Sequence, residues 1–266
     1  MNFKDLDEEF DVNGVVLIKS CINSELMDRV REEYNTLDNS LTRVEIEKDK
    51  PIIVFWRHVE GEQKRLSNFE EFPSLLKLIK ESIAPNLRKY FQGRFTRLQL
   101  LETVIFNKPP NISNALNWHQ DVSYFPLKPN NQVAVWIPFE HVDKDRSAMI
   151  YALGSHKAGI MGSVNLHTRE AYKNETRTLI PENPETLGYK VKCMEMDSTD
   201  MLVHDGFTWH YTGPNIVPGY VRKGLSVRFI IDEATFDPRP GQGAAFTKQI
   251  DVNPGEILQG SAFPLI

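Results

Sequence analysis

Cysteine is scarce in this chain of 266 residues: there are two, Cys21 and Cys193, far apart and in no Cys-x-x-Cys pair. That spacing argues against a disulfide and for buried free thiols in a reducing compartment. Also missing is any run approaching the roughly 20 apolar residues that a membrane-spanning helix needs. The opening residues, MNFKDLDEEFDVNG, are acidic and carry no apolar stretch, so no secretory signal is expected there. Positive charge is thin: 31 Lys and Arg against 36 Asp and Glu give a formal net charge of -5, and no basic patch stands out. Such a surface does not neutralise a phosphate backbone, which argues against a nucleic-acid partner. What remains is a cytoplasmic protein of ordinary globular composition, 41% hydrophobic and 25% charged, long enough to bury a full core. With no Gly/Ser linker, repeat or low-complexity block, residues 1–266 are expected to form one domain.

Two kinds of pattern follow one another along the chain. Up to about residue 92 the spacing is mainly helical. Gly14 to Lys19 reads as a short strand. From Asn23 an Asn/Ser cap, Glu25 in the first turn and Leu26, Val30 and Leu37 predict a helix. Leu75, Leu76, Ile79, Ile83, Leu87 and Phe91 line one side of another, from Pro73 to Phe91. After Arg94 the character changes. Arg97 to Asn107 is a long strand candidate ending at Lys108-Pro109-Pro110. Further strands are predicted at Gln132–Phe139, Met149–Leu153, Tyr189–Met196, Asp200–His204, Thr208–Tyr211 and Gly224–Ile231, separated by turn residues such as Gly154-Ser155 and Asp205-Gly206. Helices followed by seven or more short strands predict a mainly β jelly-roll or sandwich, with N-terminal helices packed outside it. The helical part spans about 20–92 and the β core about 94–235. Polar Gly162 to Gly188 is expected to loop over one end, and the Gly- and Pro-rich stretch from Phe236 to Ile266 to be irregular.

With seven histidines and 36 acidic residues, about one His-x-Asp/Glu triplet is expected by chance. The chain has three: His58-Val59-Glu60, His119-Gln120-Asp121 and His141-Val142-Asp143. Alternate residues of an extended segment point to the same side, so an imidazole and a carboxylate at this spacing can reach one metal ion. A second, distant imidazole completes a 2-His-1-carboxylate triad, which leaves positions on Fe(II) open for a keto acid and dioxygen. His119 and Asp121 follow the long strand across a polar loop, at the mouth of the expected barrel. The other two triplets run into charged turns and read more simply as solvated loops. For the distal histidine the candidates are His204 and His210. His210, at its strand end before Gly213-Pro214-Asn215, is preferred; His204 suits a hydrogen bond within the wall. An oxygenase using 2-oxoglutarate also needs a cation for the carboxylate that does not touch iron, and Arg222 and Arg228 flank the strand after His210.

At this point the residues resemble a known family. WHQDVSYF (Trp118 to Phe125) is similar to the first iron-binding motif of the phytanoyl-CoA dioxygenase family. VAVWIPFEHV followed by MIYALGSHKAG resembles its next two strands and Gly-Ser-His turn, and HYTGPN followed by Arg222 resembles its distal histidine and co-substrate arginine. The likeness runs from about Gly14 to the closing SAFPLI. It implies a double-stranded β-helix, a cupin-like jelly-roll with N-terminal helices, and a 2-oxoglutarate-dependent dioxygenase using Fe(II) and O2. By position it makes His119, Asp121 and His210 the metal ligands and pairs Arg222 with the distal carboxylate of 2-oxoglutarate, with Gln120 and Trp136 lining that pocket. Arg222 lies slightly farther from His210 than the family's spacing, which keeps Arg228 as a second candidate. Related halogenases replace the metal-binding aspartate with a small residue, so Asp121 argues against halogenation.

The family chemistry implies hydroxylation of an unactivated C–H bond in a small-molecule substrate, here of natural-product biosynthesis. No basic cluster suited to coenzyme A stands out, which leaves a fatty acyl-type hydroxylase as the alternative. Glu102, Val104 and Phe106 share one face of the long strand. If that face looks inward, Glu102 can pair with a cationic substrate group, as a polar nitrogenous metabolite such as a cylindrospermopsin-type alkaloid would present. Trp118, Tyr124 and Arg57 are further pocket candidates, with Trp56 and His58, and the 162–188 loop can act as a lid. Two rivals stand beside this reading: a cupin-like metal enzyme that does not use 2-oxoglutarate, and a non-catalytic jelly-roll that binds a ligand or partner.

Overall fold

The computed structural model describes residues 3–40, 53–57, 62–66, 69–91, 93–110, 116–166, 168–238 and 252–266. Helix α1 (Phe3–Asn13) opens the chain. Sequence reading had not marked it as a helix, yet Leu6 and Phe10 stand four residues apart and are both buried, Phe10 edge-on to Phe91 and Phe95. Strand β1 (Val15–Ile18) and helix α2 (Ser24–Ser40) follow. The side chain of Asn23 accepts the backbone N–H of Leu26, the expected cap. A hairpin, β2 (Ile53–Arg57) and β3 (Glu62–Leu66), was not foreseen. The helix expected from Pro73 is α3 (Pro73–Leu78), which widens into a π turn (Ile79–Ile83) and continues as α4 (Ala84–Tyr90). Pro85 explains the widening. It has no N–H to give, and the turn instead closes from Ala84 N–H to the carbonyl of Ile79, five residues back.

The β region comprises β4 (Leu98–Lys108), β5 (Leu116–His119), β6 (Leu127–Lys128), β7 (Gln132–Pro138), β8 (Met149–Ala152), β9 (Val191–Cys193), β10 (Met201–Asp205), β11 (His210–Thr212), β12 (Arg222–Ile231) and β13 (Thr235–Phe236). Among the described residues these form a large sheet ordered β1-β10-β7-β12-β4-β2-β3, a small one ordered β5-β11-β8-β9, and a β13-β6 pair. Within the span from β4 to β12 every pairing is antiparallel and the chain crosses repeatedly between the two sheets, with β8 and β9 consecutive in the small one, which is the jelly-roll. No helix of the described residues is long and apolar enough to cross a membrane. Cys21 and Cys193 are free, and burial pushes the Cys21 thiol up to about 12.

The helices cover the outer face of the large sheet. There Leu26, Val30, Leu75, Ile79, Ile83 and Leu87 pack with Val133, Val135, Ile137, Val203, Leu225 and Val227 in one core cluster. The inner face faces the small sheet and carries the polar groups. A bulge decides which residues of β4 point inward. Arg228 pairs with Glu102 but Phe229 pairs with Leu100, so Leu101 is the extra residue and the side-chain parity of β4 reverses there. Beyond it Glu102, Val104, Phe106 and Lys108 share the inner face with Arg228, Ser226, Gly224 and Arg222 opposite them.

Candidate metal centre and anion pocket

His119 is the last residue of β5, and Asp121 opens a single 3-10 turn (Asp121–Ser123) two residues on. Antiparallel pairing of β11 with β5 sets His210 directly opposite His119, with ring centroids 4.2 Å apart. In each ring Nδ1 lies against a backbone carbonyl: Asn117 O at 2.8 Å for His119 and Thr208 O at 2.9 Å for His210. A carbonyl can only accept, so Nδ1 carries the hydrogen and Nε2 presents its lone pair to the interior. Burial pushes both imidazoles below their usual range and keeps them neutral. One ligand atom from each of His119, Asp121 and His210 lies within 4.8 Å of the others, and all three residues are buried, so the three can hold one metal ion.

Asp121 is held from behind. Burial alone would raise its pKa, but Arg228 and His204 hold it well below the carboxylate range. Arg228 forks onto both oxygens, Nε to Oδ2 at 3.0 Å and Nη2 to Oδ1 at 3.1 Å. His204 donates from Nε2 to Oδ2 at 3.3 Å while accepting at Nδ1 from the Tyr151 hydroxyl at 3.0 Å. The remaining arm of Arg228, Nη1, pairs with Glu102 at 2.9 Å. Glu102 is therefore inward and already matched with a cation of the protein itself.

A second polar cluster lies farther along the same face, where Arg222 of β12 pairs with Lys108 of β4. Both are buried, at 2% and 0% exposure, and among the described residues neither forms an ion pair with a carboxylate. Arg222 donates to Ser147 O at 3.1 Å, and its guanidinium stacks 4.9 Å from the Trp136 ring. The indole in turn lies on Gly224, where a Cβ would come within 2.5 Å of it, so glycine is required for this approach. Lys108 Nζ reaches Ser147 Oγ and Thr212 Oγ1 at 2.9 Å and Gly213 O at 2.8 Å. Burial lowers Arg222 to about 10; burial and the charge of Arg222 lower Lys108 to about 6. Sequence reasoning passed over Lys108, although it has the same parity on β4 as Glu102, Val104 and Phe106.

Other expected residues distribute unevenly. Gln120 does not line the pocket. Sitting between two inward residues, it points the other way, where Nε2 donates to Gly159 O and Phe207 O and Oε1 accepts from Met161 N–H and Ser123. Trp118 shares that outward parity and stacks on Tyr211 at 4.4 Å, outside the small sheet rather than in the cavity. Tyr124 lies edge-on to His119 at 6.0 Å and ties down the 162–188 loop, its hydroxyl donating to Val164 O and accepting from Val164 N–H. Arg57 is on β2 with its side chain outside the described residues, as is the triplet beginning at His58. His141 is half exposed and pairs with Asp197, which fits a solvated loop.

The family model described as Phytanoyl-CoA dioxygenase (PhyH) matches residues 10–224. The peroxisomal phytanoyl-CoA dioxygenase of Mus musculus is 24% identical over 240 residues, which cover 83% of this chain and 66% of that protein. The chain thus spans just under two thirds of that relative's length. A probable alpha-ketoglutarate-dependent hypophosphite dioxygenase of Stutzerimonas stutzeri is 24% identical over 80% of this chain and 73% of its own. In structure, the epimerase SnoN, solved with Fe3+, alpha ketoglutarate and nogalamycin RO, superposes with a TM-score of 0.74 at 17% identity over 99% of this chain and 98% of that one. The carbocyclase SnoK from nogalamycin biosynthesis gives 0.72 at 19%, over 99% and 96%. Matched over most of its length by that family model, this chain belongs to the phytanoyl-CoA dioxygenase (PhyH) family.

Proposed function

We propose that the chain is an Fe(II)- and 2-oxoglutarate-dependent oxygenase that hydroxylates a C–H bond of a small metabolite, with His119, Asp121 and His210 as iron ligands. One observation carries the reading. Two neutral imidazoles and an ionised carboxylate converge inside the same barrel that buries the basic side chains of Arg222 and Lys108, neither of which pairs with a carboxylate among the described residues. When bound, ferrous iron with 2-oxoglutarate supplies the oxidising chemistry: one oxygen atom of O2 enters succinate as carbon dioxide leaves, and the other enters the substrate as hydroxyl.

The chain's own part is orientation and charge. Carbonyls of Asn117 and Thr208 fix the tautomers of the two histidines, and Arg228 and His204 keep Asp121 ionised. Arg222 receives the distal carboxylate of the keto acid, stacked on Trp136. Arg228, the other candidate, already carries Asp121 and Glu102. Val104, Phe106 and Tyr124 form an apolar wall near His119 for the substrate. Because Glu102 is paired with Arg228, the substrate meets no lone carboxylate there. A neutral polar metabolite suits that surface better than a strongly cationic one.

Anaerobic titration of the Fe(II)-loaded protein with 2-oxoglutarate tests the assignment. The expected result is the weak visible charge-transfer band of a chelated keto acid, lost in Asp121→Ala and in His210→Ala. A wild-type protein that binds iron yet never develops the band overturns the 2-oxoglutarate reading and favours a cupin-like metal enzyme without a keto acid.

A further inference from the structure

We propose that Lys108 is a second recognition residue for the distal carboxylate of the keto-acid co-substrate: with Arg222 and the Thr212 hydroxyl it makes the pocket selective for a dicarboxylic keto acid. The assignment rests on the oxygenase reading above and deepens it.

Protonating a buried amine is costly, and doing so beside a guanidinium is costlier, unless an anion comes between the two. Lys108 and Arg222 are cross-strand partners, both buried, and among the described residues no carboxylate pairs with either. The neighbours of Lys108 are neutral: the hydroxyls of Ser147 and Thr212 and the carbonyl of Gly213. Ser147 gives its hydroxyl hydrogen to Gly213 O at 2.6 Å. Thr212 Oγ1 accepts from Lys108, which leaves its own hydrogen for an acceptor inside the barrel. Thr212 lies two residues after His210 on β11, so both side chains are on the same side of that strand. An anion that takes the Thr212 hydrogen and lies between Arg222 and Lys108 thus shares the interior with the metal ligands. A keto acid chelating iron through its reactive end, with a carboxylate at the other, meets both sets of groups. A keto acid without the second carboxylate gives Arg222 no counter-charge and gives Lys108 no reason to take up a proton.

The plain alternative is that Lys108 only props β4 against β11 and the 147–149 segment. The test separates the two by measuring, anaerobically on Fe(II)-loaded protein, the affinity for 2-oxoglutarate and for 2-oxovalerate, which has the same chelating end and no distal carboxylate. Lys108→Met is expected to weaken 2-oxoglutarate about 30-fold or more, the scale of losing one partner of a buried charge pair, and to leave 2-oxovalerate and Fe(II) within about twofold. Should that variant not fold, Lys108→Gln keeps a donor to the hydroxyls without the charge and carries the same comparison. Equal weakening of both acids makes Lys108 a prop, and unchanged 2-oxoglutarate affinity removes it from the pocket; either result overturns the proposal. A wild-type protein that binds neither acid defeats the oxygenase reading itself, and this assignment with it.

Discussion

At the scale of single residues the interior is a set of matched and unmatched charges. Arg228 is matched twice, by Asp121 and Glu102. Arg228→Met would bury two carboxylates without their cation, and breaking a buried pair in that way typically costs about 3–5 kcal/mol. Chemical denaturation of the metal-free protein at pH 7 should register a loss of that size. The sign of its pH dependence follows from Asp121, whose folded-state pKa is depressed. Its contribution is present above the ordinary carboxylate range and disappears as pH falls through the folded value, so the gap between wild type and variant should narrow in acid. Lys108 is unmatched and behaves oppositely. Its pKa is lowered from 10.5 to about 6, with Arg222 the charged group beside it and hydroxyls and a carbonyl its other neighbours. An anion arriving beside it raises that value, so 2-oxoglutarate binding near pH 8 should take up close to one proton. Calorimetry in buffers of different ionisation enthalpy reads this directly; buffer-independent heats would contradict it.

At the scale of elements, three features deliver those side chains. The bulge at Leu101 turns Glu102, Val104, Phe106 and Lys108 inward, and without it β4 would present the opposite face to the cavity. Gly224 lets the Trp136 indole lie flat on β12, beneath Arg222. Gly224→Ala should therefore push the indole off the strand and cost about 1–3 kcal/mol, with weaker 2-oxoglutarate binding to match. Melting and titration of the same variant check both halves. The 162–188 loop is fastened at its start by Tyr124 and internally by Glu175, whose carboxylate Arg177 and Ser163 hold well below its usual range. Tyr124→Phe deletes the hydroxyl on which both Val164 bonds depend, at about 1 kcal/mol each. Limited proteolysis within that loop should accelerate, while the rest of the chain keeps its protection.

At the scale of the molecule, the metal site closes only when the small sheet closes, since His119 and His210 sit on paired strands separated by much of the sequence. Metal binding is then coupled to folding. Fe(II) at about 100 times its dissociation constant should stabilise the protein by about 2.7 kcal/mol. Anaerobic melting with and without Fe(II) measures this, and His210→Ala should abolish the increment while still folding. An increment that survives in that variant places the stabilising ion elsewhere.

Residue pattern and family resemblance together were enough for the jelly-roll and for proposing His119, Asp121 and His210, whose ligand atoms the fold brings within 4.8 Å of one another. Hydrophobic period distinguishes helices from strands, and His-x-Asp on an extended segment places both groups on one side whatever surrounds it. The distal histidine was harder to choose: His204 and His210 are both inward, and only strand pairing sets His210 opposite His119 while leaving His204 behind Asp121. Alternation already implies that Gln120 and Trp118 look away from the metal when His119 looks toward it, although the motif as a string suggests a common pocket. What only the tertiary structure decided is partnership. Whether Arg222 or Arg228 is available to a co-substrate, whether Glu102 stands alone, and whether Lys108 matters at all depend on which charges meet across strands. Those meetings follow from register and from one bulge. A bulge is an extra residue in a pairing, so it becomes visible only once the partner strand is in place.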